Sequence, residues 1–228
     1  MDQAYFALTD KKTNIAFLGE AGCGKSEIAL NFALRFAAQA DRQVHFFDLD
    51  QTKPLFRSRD AGALLEKSGI ALHYEQQYLD APTVVGGVAE RLKSPDCYTL
   101  LDIGGGTGGA RMVGGFAPFL NAGNTKVFYV VNPFRPWSRE VLAIDKTLSA
   151  ILKVSHVKNF HVLCNPNLGQ DTTAAELLAG YKKTQAMLGE YVAIEAVCVW
   201  DALYEAVRES IDIPLLPLQL HLRYEWAT

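Results

Sequence analysis

The sequence predicts an α/β fold: a mainly parallel sheet of about seven strands with helices on both faces, in three layers. Three observations predict it. Short apolar runs alternate with longer helix-patterned segments from end to end. Several of those runs are nearly continuous in Val, Ile, Leu, Phe and Tyr, as strands buried on both faces are. No stretch rich in Gly, Ser or Pro divides the chain, so one domain over residues 1–228 is the economical reading.

The elements follow in order. NIAFLG is the first strand, because an apolar run ends on glycine, and Lys25 to Ala40 is the first long helix. QVHFFDLD is the second strand, and the helical pattern from Ala61 to Lys67 leads into a third, IALHYE. A helix from Thr83 to Lys93 precedes YTLLDIG, and KVFYVVN follows a glycine-rich stretch in which Gly108, Gly109, Gly114 and Gly115 suggest a mobile loop. Helices at Trp137 to Val154, Thr173 to Leu188 and Asp201 to Glu209 alternate with the strands FHVLCN and AIEAVCVW. The apolar tail IPLLPLQLHLRYEWAT carries Pro214 and Pro217 and reads as an irregular strap packed back on the body. The rival reading, a membrane-seeking amphipathic helix, has only Arg223 as a firm positive charge.

Charge and composition exclude several function classes. Lys plus Arg number 22 against 25 Asp plus Glu, a net charge of -3, which disfavours a surface built to neutralise nucleic-acid phosphates. No apolar run is long enough to span a membrane, and the start of the chain lacks a basic, apolar leader, so a soluble cytoplasmic protein is expected. Cys23, Cys97, Cys164 and Cys198 show no paired metal spacing, and His45, His73, His156, His161 and His221 are scattered.

The strongest chemical signal is Gly19-Glu20-Ala21-Gly22-Cys23-Gly24-Lys25-Ser26, a G-x-x-x-x-G-K-[ST] pattern placed between a strand and a helix. Glycines let main-chain N–H groups turn inward around phosphate oxygens, and the helix N-terminus adds a favourable dipole. Lys25 then meets the β- and γ-phosphates, and Ser26 ligates magnesium. The bare pattern arises by accident in roughly one chain of this length per hundred, and correct placement makes accident rarer.

Two further motifs end neighbouring strands, where ligands of open α/β sheets sit. YTLL ends in Asp102, giving D-x-x-G with Gly105, an acid for a magnesium water and a glycine N–H for a γ-phosphate. VHFF ends in Asp48-Leu49-Asp50, whose acids share one side of an extended chain and are assigned to second-shell magnesium binding and orientation of the attacking water. The segment Asn132 to Trp137 reads equally as a binding loop or as a stiff connector.

These motifs, in this order and with Asn165 after a late strand, resemble the MinD/ParA/CobQ-type nucleotide-binding proteins, the deviant Walker A branch (SIMIBI class) of the P-loop NTPases. The resemblance spans about residues 13–205. It implies ATP with Mg2+, a nucleotide-dependent homodimer and a client protein. It implies cofactor binding by Gly19, Gly22, Cys23, Gly24, Lys25, Ser26, Glu27, Gly105 and Asn165, with Asn165 on the adenine edge and Trp200-Asp201 bordering the base. Metal contacts fall to Ser26, Asp48 and Asp102, and catalysis to Lys25, Asp48 and Asp50. The signature lysine of that branch is replaced by Glu20. Lys53, Arg57, Arg59, Arg111 and Arg135 are candidates to supply the missing charge. The absence of N-K-x-D or T-K-x-D favours ATP over GTP.

Three functions compete: an ATPase switch, a nucleotide-binding adaptor without turnover, and a small-molecule kinase or ATP-dependent synthetase.

Overall fold

A computed structural model describes residues 2–39, 42–50, 58–75 and 85–222. In chain order the elements are α1 (Asp2–Leu8), β1 (Asn14–Leu18), α2 (Lys25–Gln39), β2 (Gln43–Leu49), α3 (Gly62–Lys67), β3 (Ala71–His73), α4 (Val88–Lys93), β4 (Cys97–Ile103), α5 (Gly106–Met112) and α6 (Ala117–Leu120). There follow β5 (Thr125–Val131), α7 (Val141–Ser155), β6 (His161–Cys164), α8 (Ala174–Leu188), β7 (Ile194–Trp200), α9 (Tyr204–Val207) and β8 (Leu215–Leu218).

The eight strands form one sheet in the order β3-β2-β4-β1-β5-β6-β7-β8, with every pair parallel. Because β1 lies between β4 and β5, the loops leaving those two strands flank whatever follows Leu18. Register brings Asp48 of β2 beside Asp102 of β4, and Asp102 beside Phe17 of β1, so the acidic strand ends stand level at one edge.

Alternation along β1 explains the layers. Ile15 and Phe17 enter the core beneath α1 and α2, while Ala16 and Leu18 enter the core on the opposite face. Phe32 of α2 anchors the first of these, with its ring 4.8 Å from Tyr5, 5.3 Å from Phe17 and 5.7 Å from Phe128. A smaller cluster under α8 and α9 includes Leu177, Val197, Val199 and Val207.

The structure departs from the sequence reading in three places. The tail contributes an eighth strand, β8, which pairs with β7 at the sheet edge and accommodates Pro217 opposite Val199. An edge strand tolerates a proline because one side of its ladder is unpaired. The glycine-rich stretch after Asp102 forms helix α5, followed by a 3-10 turn over Gly114–Phe116, instead of a loop. A β-carbon on Gly109 would stand 2.0 Å from the Gly104 carbonyl oxygen, so its lack of a side chain lets the helix close on the turn before it. The third departure is α1, which the sequence reading left without an element. Predicted boundaries at Ala40, Thr83 and Arg223 lie outside the described residues.

Candidate functional site

The segment from Gly19 to Gly24 turns sharply between β1 and α2, with positive φ at Gly19, Gly22 and Gly24. All six of its carbonyls are taken by protein donors. Gly106 N–H donates to the Gly19 carbonyl at 3.1 Å, Lys25 Nζ to that of Glu20 at 2.9 Å, and Trp137 Nε1 to that of Ala21 at 3.0 Å. Arg135 Nε reaches the Gly22 carbonyl at 3.0 Å, Asn165 Nδ2 the Cys23 carbonyl at 2.8 Å, and Ile28 N–H the Gly24 carbonyl at 3.1 Å. The N–H groups of Ala21, Gly22 and Gly24, by contrast, have no hydrogen-bond partner among the described residues. This is the arrangement of an anion-binding nest at the start of a fifteen-residue helix.

Lys25 is 1% exposed and folded back over its own loop, with its amine on the Glu20 carbonyl. Ser26 is buried beside it at the start of α2. The Glu27 carboxylate accepts the N–H groups of His221 and Leu222 at 2.7 and 3.2 Å, pinning the tail along α2.

Among the acids, the structure separates Asp48 from Asp50. Asp48 is fully buried; one oxygen accepts the Asp50 N–H at 2.9 Å, and the other accepts the Arg59 N–H at 3.2 Å and its guanidinium at 2.7 Å. Arg59 also donates to the Asp50 carbonyl at 2.7 Å. Burial alone would lower the pKa of Arg59, but the hydrogen bond and charge of Asp48 outweigh it and hold the guanidinium above its ordinary value. Asp48, expected at the metal and the attacking water, has both of its oxygens engaged in shaping the chain around Asp50 and Arg59. Asp50, 1% exposed, lies against the D-x-x-G segment, one oxygen 3.2 Å from where a Gly104 β-carbon would be.

Asp102 is buried on the strand adjacent to β1. Gly105 packs directly on the loop, since a β-carbon there would lie 2.7 Å from the Ala21 nitrogen and Cα. No cluster of three or more His, Cys, Asp or Glu that would hold a metal occurs among the described residues. Ser26 with Asp102 fits magnesium, which keeps several waters and takes phosphate oxygens in place of a protein cage.

Asn165 braces the loop. Its amide nitrogen, which donates to the Cys23 carbonyl, would stand 2.1 Å from a Gly24 β-carbon. Of the candidate cations, Arg59 is committed to Asp48, Arg111 lies in a separate groove, and Arg135 rests on the loop. Lys53 and Arg57 lie outside the described residues. The segment from Asn132 to Trp137 is thus resolved as part of the site. Sequence reasoning missed Trp137 and Gly106 as loop donors; the signal for both was their place just beyond the ends of β5 and β4, the two strands flanking β1. Glu20 extends toward the start of α5, one oxygen 3.1 Å from a Gly106 β-carbon position.

No family model and no curated protein matches the sequence. Among solved structures, chloroplast FtsY from Physcomitrella patens is similar with a TM-score of 0.52 at 13% identity, over 86% of this chain and 65% of that one. The fold is of the P-loop NTPase type. This chain spans just under two thirds of that FtsY chain. A nucleotide-binding protein from Archaeoglobus fulgidus in complex with ADP gives a TM-score of 0.48 at 16% identity, covering 86% and 85% of the two chains. The Signal Recognition Particle 54 kDa protein from Aeropyrum pernix in complex with GDP gives 0.37 at 14% identity, covering 92% and 43%. No helix among the described residues is long and apolar enough to cross a membrane.

Proposed function

We propose that the chain binds ATP with magnesium at residues 19–26 and acts as a nucleotide-dependent switch of the MinD/ParA type, with slow hydrolysis that a client protein accelerates. The observation that carries this reading is the hydrogen bonding of the loop. Its six carbonyls are occupied by protein donors, whereas the N–H groups of Ala21, Gly22 and Gly24, just before α2, have no partner among the described residues.

On this reading Lys25 exchanges the Glu20 carbonyl for the β- and γ-phosphates, at little conformational cost because its side chain already lies on the loop. Ser26, and Asp102 through water, would hold magnesium, which would supply charge neutralisation at the phosphates. Asp50 orients the attacking water, and the Asp48–Arg59 pair fixes the turn that presents it. Gly105 and Gly106 form the responding element. The Gly106 N–H bonds the Gly19 carbonyl, so a γ-phosphate that draws in the Gly105 N–H competes with this docking and shifts the start of α5.

Glu20 favours a second reading, an adaptor that binds nucleotide without turnover. Its carboxylate leans on the responding segment where the MinD/ParA branch has a lysine that reaches across a homodimer. Calorimetry with ATP, ADP and GTP, beside phosphate release and size measurement, tests both readings. ATP binding is expected to weaken by about a hundredfold or more in Lys25→Ala, as a charge-assisted contact is lost. Asp50→Ala should keep binding and lose turnover. Equal ATP affinity in Lys25→Ala defeats the nucleotide reading, whereas tight binding with no phosphate release leaves the adaptor.

A further inference from the structure

We propose that the groove between α5 and α7 takes an acidic segment of a partner protein. The groove encloses about 760 Å3 and is walled by Thr107 and Arg111 on one side and Ala150, Lys153, Val154 and His156 on the other. Arg111, Lys153 and His156 are exposed, no carboxylate lines the groove, and neither Arg111 nor Lys153 forms an ion pair among the described residues. On a chain of net charge -3 this is a local concentration of unneutralised positive charge.

The groove is built. His156 closes α7 with φ 57, a left-handed conformation rarely adopted by a residue with a side chain. Asn121 holds it there, donating to the His156 carbonyl at 2.9 Å and accepting the Lys158 N–H at 2.8 Å. Gly114 lies so close to α7 that a β-carbon would be 2.7 Å from the Val154 carbonyl oxygen, which keeps the wall free of a side chain. Cations spread over two helices with Ala150 and Val154 between them suit carboxylates interleaved with small apolar groups. An oligonucleotide would find no Phe, Tyr or Trp to stack on among the lining residues, only the single imidazole of His156.

Both walls begin at the phosphate-binding loop. The first residue of α5 donates to the Gly19 carbonyl, and the segment entering α7 donates through Arg135 and Trp137 to Gly22 and Ala21. The groove therefore reports what the loop holds, a link that rests on the proposed nucleotide reading.

Anisotropy of a fluorescein-labelled peptide alternating Glu with Ala, titrated with the full chain, tests the groove without any nucleotide. Reversal of both charges in the Arg111→Glu, Lys153→Glu protein is expected to weaken binding about tenfold or more. Lys182→Glu on α8, exposed and away from the groove, should leave it unchanged, and circular dichroism confirms that each variant folds. Binding that is absent, or indifferent to the double reversal, overturns the proposal. Tighter binding of a single-stranded oligonucleotide through the same two residues also overturns it in favour of nucleic acid. Repeating the titration with protein shown by calorimetry to hold ATP or ADP tests the link: affinities differing at least threefold support it, and equal affinities in the two occupied forms refute it. Failure of nucleotide to bind at all refutes the nucleotide reading instead, and leaves the peptide titration of the free protein to decide the groove.

Discussion

Replacing Gly24 by alanine probes the tightest point of the candidate site. At φ +98 any side chain is strained, by about 1–2 kcal/mol on the scale of left-handed residues. The new β-carbon would also stand 2.1 Å from Asn165 Nδ2, so the amide must leave and the Cys23 carbonyl loses its donor. An orphaned buried acceptor costs about 1–3 kcal/mol, which brings Gly24→Ala to about 2–5 kcal/mol in total. Asn165→Ala alone loses the same hydrogen bond, but it also removes the buried Asn165 Oδ1, which has no hydrogen-bond partner among the described residues; its net cost is about 1 kcal/mol. In the double variant the steric conflict is gone while the backbone strain stays, so the two changes together cost about 1–3 kcal/mol less than their sum. Urea unfolding followed by circular dichroism gives all three values. Strict additivity would refute the contact. Binding measured on the same proteins separates two roles for Asn165: a brace weakens ATP and GTP alike when removed, whereas a base reader changes only their ratio.

Three further outcomes follow from the same geometry. Arg59→Ala leaves the Asp48 carboxylate buried without its counter-charge and is expected to cost about 3–5 kcal/mol in urea unfolding, more than any exposed arginine. Burial, with Arg91 and His73 adding repulsion, lowers the His45 pKa from 6.5 to about 4. The unfolded chain therefore takes up the proton first on acidification. Stability from this group is complete above about pH 6.5 and lost as pH falls toward 4; unfolding midpoints across that window should show the slope in the wild type and a flatter one in His45→Gln. Burial pushes the Cys164 thiol up to about 12 and Cys198 well above its ordinary value. Neither should react with a thiol reagent at mildly alkaline pH until urea unfolds the protein, as mass spectrometry would record.

Local order wrote much of this protein in advance. The strand cores, the long helices α2, α7 and α8, and the loop from Gly19 to Ser26 depend on periodicity, glycine placement and a helix start, all of which act over a few residues. Thr173 and Glu176 even form a capping box at the boundary of α8. The long-range decisions belong to the tertiary structure. α5 is helical despite three glycines because it closes on Gly104 and packs against α7, and β8 exists because β7 offers it an open edge. The division of labour between Asp48 and Asp50 was invisible in a D-x-D motif, since it depends on Arg59 arriving from a later segment. Asn165, Arg135 and Trp137 likewise gain their places from strand order: β5 lies next to β1 and β6 one strand beyond, so loops far apart in sequence meet over the same turn. Sequence fixes which groups a segment can offer, because that is chemistry within a few bonds. Which of those groups face one another is set by how the strands are ordered, and only the packed sheet supplies that.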